Sequence, residues 1–296
     1  MFRGTATAII TPFKDGAVDF PAFEGLLNFQ IEGGVNALVV LGTTGEAATM
    51  NSAERDEVIS FALRVVNKRV PVIIGTGTNC TATTIELSKR AEELGADGVL
   101  IVTPFYNKPN QNGLYVHFRT VAEAINVPIV LYNVPGRTGV NLLPETVLRL
   151  AADVKNIVAV KEASGNQFQC DSLIRSLQKV RPDFRVFSGN DDQAFHLVCA
   201  GGDGVISVLS NVCPSQTSAM MNAALSGDLA TARKLHLQLL PLMKNLFLES
   251  NPMPVKYAAS ALGLCENELR LPLIPASQKT CDTVRANLVE LGVLEA

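Results

Sequence analysis

The chain has 296 residues, of which 47% are hydrophobic and 18% charged, with a formal net charge of −3 at pH 7. That length suits two average domains or one large α/β barrel, and a charge fraction below the roughly 25% usual for soluble domains implies surface buried between the subunits of a homo-oligomer. No Lys/Arg run points to a nucleic-acid partner. No apolar stretch reaches the ~18 residues of a membrane span, and Met1-Phe2-Arg3-Gly4 runs into a strand-like segment without a signal-peptide core. The six cysteines, at 80, 170, 199, 213, 265 and 281, form no C-x-x-C and read as the reduced thiols of a cytoplasmic protein.

The predicted elements alternate along the chain. Apolar, β-branched runs mark strands at 5–10, 37–41, 72–75, 98–103, 129–132, 157–161, 185–187 and 204–208. They are apolar throughout, as in parallel strands covered by helices. Most starts lie about 30 residues apart, the size of one strand–helix unit. Between them, Asp19 and Pro21 open the first helix and Gly33-Gly34 close it, while Asn51 with Glu54 makes a capping-box pattern at the second. A third helix runs from Thr81 to Leu94 and ends at Gly95, Pro144 opens a later one, and Gly201-Gly202 ends another. Eight such units predict an α/β fold, a (β/α)8 TIM barrel. The competing arrangement is a doubly wound open sheet with a dinucleotide site. However, no G-x-G-x-x-G follows the first strand, Gly75-Thr76-Gly77 lacks a third glycine, and no P-loop signature occurs. From Pro214 onward the chain reads as helices only, with breaks at Gly227, 251–254 and 271–275. The expected division is therefore a catalytic barrel over 1–225 and a C-terminal helical extension over 226–296.

In such a barrel the chemistry collects where the strands end. Lys161 ends the apolar run Ile157-Val158-Ala159-Val160. Desolvation penalises an ammonium, so burial lowers a lysine's pKa, and a neutral amine in an apolar pocket attacks a ketone to form a Schiff base. The alternative is a surface lysine capping the strand or paired with Glu162. The second strand ends in Gly42-Thr43-Thr44-Gly45-Glu46, whose hydroxyls and glycine backbone suit a carboxylate, or make a plain Gly/Thr turn. Two of the four tyrosines, Tyr106 and Tyr132, sit at the ends of the fourth and fifth strands. They are either half-buried rings with wet hydroxyls or, beside a strand-end lysine, a proton relay. Arg137 follows the Pro135-Gly136 turn, which fixes a guanidinium for a substrate carboxylate or for an ordinary ion pair.

What is missing narrows the chemistry. The histidines at 117, 196 and 236 have no metal-ligand spacing, there is no G-x-S-x-G elbow, and strand-end carboxylates are too scarce for a glycosidase. An amine, phenols, hydroxyls and an arginine fit carbonyl chemistry through an imine, with no metal and no cofactor.

Three segments carry a family resemblance: Gly42-Thr43-Thr44-Gly45-Glu46, Tyr132-Asn133-Val134-Pro135-Gly136-Arg137-Thr138-Gly139 and Val160-Lys161-Glu162-Ala163. They closely resemble the dihydrodipicolinate synthase (4-hydroxy-tetrahydrodipicolinate synthase) family of pyruvate-dependent class I aldolases. The likeness continues through Ser188-Gly189-Asn190-Asp191, Gly204-Val205-Ile206-Ser207 and Asn251-Pro252-Met253-Pro254-Val255-Lys256, essentially the whole chain. The resemblance implies that Lys161 forms a Schiff base with pyruvate and that Tyr132, Thr43 and Tyr106 make a proton relay, with Tyr106 reaching in from the neighbouring subunit of a tight dimer. It further implies that Thr44 holds the pyruvate carboxylate and that Arg137 receives the carboxylate of L-aspartate 4-semialdehyde. Gly189 and the backbone of Ile206 would line the pocket. The implied assembly is a dimer of dimers, which fits the low charge fraction.

Many members of that family are inhibited by L-lysine at the tight-dimer interface. Where they often carry a glutamate this chain has Thr83, the frequent tyrosine is Phe105, and two frequent histidines are Ser52 and Arg55, while Asn79 is kept. An ammonium without its carboxylate partner loses a charge-assisted bond, so weak or absent lysine sensitivity is expected. Two other readings compete. One is another pyruvate-dependent aldolase on the same barrel, such as a sialic acid lyase or a keto-deoxy-sugar aldolase. The other is a non-catalytic binding protein, which would be expected to have lost the lysine or the relay tyrosines.

Overall fold

The structure, a computed structural model, describes residues 2–295. Eight strands form the barrel: Gly4–Ala8 (β1), Ala37–Val40 (β2), Val72–Gly75 (β3), Gly98–Val102 (β4), Ile129–Asn133 (β5), Ile157–Glu162 (β6), Arg185–Ser188 (β7) and Gly204–Ser207 (β8). Each pairs in parallel with its neighbour in chain order, and β8 closes onto β1 with Gly4 opposite Gly204. All eight expected strands are present.

The helices on the outside begin where their caps say they should. Asp19 accepts the Ala22 N–H at 3.1 Å and starts α1 (Phe20–Glu32). Asn51 and Glu54 exchange side-chain and backbone bonds of 3.0 and 3.1 Å, the reciprocal capping box that starts α2 (Ser52–Val66). Then follow α3 (Thr81–Glu93), α4 (Gln111–Glu123), a single turn α5 (Pro135–Thr138), α6 (Pro144–Asp153), α7 (Gln167–Val180), α8 (Asp191–Cys199) and α9 (Pro214–Ser226). Their inner faces bury side chains such as Phe23, Leu26 and Phe118 completely against the strands, each stabilising the fold by about 1.5–3 kcal/mol relative to exposure. The barrel interior is a second core. Ala6, Val39, Ile73, Leu100, Val130, Ala159 and Ile206 fill it, and Phe2 stacks on Phe187 with ring centroids 4.4 Å apart.

Two local features differ from the sequence expectation. β1 ends at Ala8 rather than at residue 10, because the Ile10 N–H is taken by the Asn211 side chain at 3.0 Å instead of a neighbouring strand. A small antiparallel hairpin, Phe13–Lys14 with Ala17–Val18, follows it. Its turn is Asp15-Gly16, both with positive φ (54° and 81°), the backbone that an Asp-Gly pair favours in a two-residue hairpin.

After the barrel come α10 (Leu229–Asn245), α11 (Met253–Ala261) and α12 (Gln278–Glu290). α10 packs on α8 and α9, and α12 packs on α10 and α11. Among the described residues no helix is long and apolar enough to cross a membrane.

Candidate active site

Lys161 is one residue short of the tip of β6, 4% exposed, and directly opposite Tyr132 of β5. Its Nζ lies 4.5 Å from the centroid of the Tyr132 ring. No hydrogen bond or ion pair within the described chain holds that nitrogen, and burial lowers its pKa to about 8. The charge of Asp191 opposes this fall and that of Arg137 adds to it. Burial also raises the Tyr132 phenol, while Arg137 and the Thr43 hydroxyl pull it back. Gly189 lies against the lysine stem: a Cβ there would stand 3.0 Å from Lys161 Cε and 2.6 Å from Ala163 Cβ. Only glycine leaves that space open.

Neither structural alternative for Lys161 holds. It is not on the surface, and Glu162 points elsewhere. The Glu162 carboxylate accepts from Ser164 N (2.6 Å), Asn133 Nδ2 (2.9 Å) and Gln169 Nε2 (3.0 Å), all outside the barrel interior.

The Gly42–Glu46 loop forms a short 3-10 turn, Thr43–Gly45, in which Thr44 is buried. Its position is set from the far end of the chain. Asn251 Nδ2 donates to Thr44 Oγ1 at 2.9 Å. Glu46, in the left-handed region at φ 54°, has its buried carboxylate paired with Lys256 Nζ and accepts the Arg270 N–H at 3.2 Å. Arg137, on the single turn α5, donates from Nη2 to the Asn251 carbonyl at 3.2 Å.

One enclosed cavity collects these groups. Thr43, Thr44, Tyr132, Arg137, Lys161 and Gly189 all line it. A wider opening beside it shares Thr43, Tyr132 and Arg137 and runs outward past Phe105 and Arg55. Two expected residues are not on the cavity wall. Ile206 is fully buried in the barrel-interior cluster that also holds Tyr132. Tyr106 is 88% exposed, its backbone at φ 70°, so within one chain it does not join Lys161. Sequence reasoning gave no role to Asn251, Asp191 or Phe247. Asn251 and Phe247 line the cavity, and Asp191 is buried and acts on the lysine through its charge. Asn251 looked like part of a proline-rich helix break, and nothing local in the sequence ties it to Thr44, 207 positions earlier.

The fold and its rim define a (β/α)8-barrel lyase. The chain belongs to the dihydrodipicolinate synthetase family, whose model matches residues 1–291. It is 60% identical over 294 residues to the 4-hydroxy-tetrahydrodipicolinate synthase of Kosmotoga olearia, covering 99% of this chain and 100% of that one. It is 55% identical to the enzyme of the same name from Thermotoga neapolitana, again over 99% and 100% of the two chains. The crystal structure of dihydrodipicolinate synthase from Thermotoga maritima superposes with a TM-score of 0.98 at 54% identity, covering 99% of this chain and 100% of that one.

Proposed function

We propose that this protein condenses pyruvate with L-aspartate 4-semialdehyde at Lys161 to give 4-hydroxy-tetrahydrodipicolinate, a step of diaminopimelate and lysine biosynthesis. The observation that carries the reading is an enclosed amine with no hydrogen-bond or ion-pair partner among the described residues, its pKa lowered to about 8, beside a buried phenol. About a tenth of such an amine is neutral at pH 7, far more than of an exposed lysine, and that fraction can act as a nucleophile.

The neutral Nζ adds to the ketone carbon of pyruvate, and the C=O π pair moves to oxygen, which takes up a proton. Loss of water then leaves an iminium on Lys161. Tyr132 exchanges the protons of these steps, with Thr43 at its hydroxyl and the Tyr106 of a neighbouring copy as the third member of the relay. Thr44 holds the pyruvate carboxylate, and Gly189 and the Ile206 backbone shape the space around the imine. The iminium draws electrons from the methyl carbon, which gives up a proton and becomes an enamine. That carbon attacks the aldehyde of the second substrate, whose own carboxylate is held by Arg137, and the aldehyde oxygen is protonated to a hydroxyl. The amino group of the joined chain then adds to the imine carbon and expels Lys161 as a free amine, closing the ring. No cofactor takes part in any step.

The reading makes the protein a cytoplasmic homo-oligomer, a dimer of dimers. Tyr106, held outward at the end of β4 and 88% exposed, supports a second copy as the place where its hydroxyl is used. The division into a barrel over 1–225 and a helical region over 226–296 has the second part supplying Asn251 to the site on the first. Thr83, Phe105, Ser52 and Arg55 support weak or absent inhibition by L-lysine, and strong inhibition at submillimolar lysine contradicts that part.

The test is reductive trapping. Pyruvate with borohydride should attach one reduced pyruvate to Lys161, and pyruvate with aspartate semialdehyde should turn over. If sugar-acid cleavage turns over instead, the protein is one of the other pyruvate-dependent aldolases. If nothing is trapped where a known imine enzyme is, it is a binding protein.

A further inference from the structure

Asn251 stands on the wall of the enclosed cavity that also carries Thr44, Tyr132, Arg137 and Lys161, and again on the wall of the wider opening outside it. It is 4% exposed and lies two residues before α11, beyond the barrel in chain order. Two of its groups are engaged by the two residues that face substrate carboxylates in the reading above. The side-chain Nδ2 donates to Thr44 Oγ1 at 2.9 Å. The backbone carbonyl accepts from Arg137 Nη2 at 3.2 Å.

The first bond limits what the Thr44 hydroxyl can do. A threonine hydroxyl has one proton and two acceptor pairs. Asn251 takes an acceptor pair and leaves the proton unused. Thr44 Oγ1 makes no other hydrogen bond among the described residues. At 3% exposure the residue is shut off from bulk water, and a buried donor without an acceptor is costly. The cavity shared with Lys161 is the space left for an acceptor. The contact is also held from behind. Lys256 of α11 is paired with Glu46, two residues after Thr44, and both side chains are buried. Glu46 accepts the Arg270 N–H as well. The amide and the hydroxyl therefore meet between two segments that are already fastened together.

We propose that Asn251 is a positioning residue for both substrate carboxylates: its side chain keeps the Thr44 proton available to pyruvate, and its backbone carbonyl holds Arg137 for the second substrate. The proposal rests on the imine reading above. Asn251 touches no reacting atom. Its two roles use different parts of one residue, so a side-chain substitution removes the first and keeps the second.

The experiment measures two constants in the wild-type chain and in Asn251→Ala: the pyruvate concentration that half-saturates borohydride trapping at Lys161, and the KM for aspartate semialdehyde. Misdirecting a charge-assisted bond should raise half-saturating pyruvate about tenfold, while the KM for the semialdehyde changes about twofold or less. Half-saturation does not depend on how much of the chain is folded, so a partial loss of stability does not imitate this result. Two constants that rise together overturn the proposal, because that is what a general loosening of the rim produces. An amide turned the other way round would take the Thr44 proton for itself, and its removal would free the hydroxyl. Half-saturating pyruvate that stays the same or falls therefore also overturns the proposal. A second series places Asn251→Ala in two Thr44 backgrounds. With Thr44→Ser, which keeps the hydroxyl, the rise should persist, and with Thr44→Val, which removes it, the rise should largely vanish. Equal effects in the two backgrounds overturn the proposal. If Asn251→Ala does not fold, Asn251→Asp keeps the shape without the N–H donor and takes its place in this series, where the valine background isolates the effect of the added charge. If the wild-type chain itself gives no adduct at Lys161, the imine reading fails, and this proposal with it.

Discussion

Among the described residues two lysines are buried, and they differ in what holds them. Lys161 and Lys256 are 4% and 0% exposed, each sits over an aromatic ring (4.5 Å from Tyr132 and 4.3 Å from Phe13), and burial lowers the pKa of both. Lys256 is paired with the Glu46 carboxylate, whereas Lys161 has no hydrogen bond or ion pair among the described residues. The comparison teaches that burial alone does not make a reactive amine. A carboxylate in contact turns the same side chain into a clamp, here one that holds the loop bearing Thr43 and Thr44. Without contact, desolvation leaves a nucleophile.

The strongest way to break this comparison is to remove each amine in turn. Lys161→Ala should lower kcat/KM by about 10⁴-fold or more, with no pyruvate trapped elsewhere, while the urea midpoint changes little. Lys256→Ala should do the reverse. Stripping a buried carboxylate of its partner costs about 3–5 kcal/mol, read by urea unfolding, and Lys256→Met with Glu46→Gln should recover most of it. An inactive but stable Lys256→Ala together with an active Lys161→Ala would falsify the assignment of the two roles.

Tyr132→Phe sharpens the comparison by keeping the ring over Lys161 and deleting only the hydroxyl. Loss of a proton-transfer group should lower kcat about 10²-fold or more, while single-turnover trapping still maps to Lys161. An unchanged kcat would remove Tyr132 from the relay.

The smallest expected effect is a pH dependence. The folded pKa of Lys161 is lowered from 10.5 to about 8, and the neutral form reacts. The trapping rate should therefore rise with pH through a midpoint near 8 and level off about one unit higher, rather than having its midpoint near 10.5 as for an exposed lysine. Lys256 should not be trapped at any point in that series. A limb whose midpoint lies well above pH 8 would mean that Lys161 is less enclosed than its neighbours indicate.

Much of this was legible in the sequence. Apolar runs at regular spacing, the Asp19 and Asn51 caps and the glycine stops gave the barrel because each follows from local chemistry. The resemblance over three short segments gathered most of the site onto one rim. The Asp15-Gly16 hairpin has a local signal too, since an Asp-Gly pair is a strong turn former. Asn251 was out of reach, because its bond to Thr44 joins positions 207 residues apart.

What the sequence by itself determined is that a lysine stands at the end of a buried strand. Which way it points was decided only in three dimensions. Counting alternation from Ile157, which faces the helices, would put Lys161 on the same outward face. In the structure β6 carries a register shift against β5, with Ile129 opposite Ile157 but Val130 opposite Ala159. The extra residue, Val158, reverses the alternation, because a shift of one position moves every later side chain to the other face. Lys161 thereby falls opposite Tyr132 inside the barrel, and Glu162 falls opposite Asn133 outside it. Composition and periodicity carry no record of that bulge, because pairing between the two strands sets it, and it turns a strand-end lysine into an enclosed nucleophile.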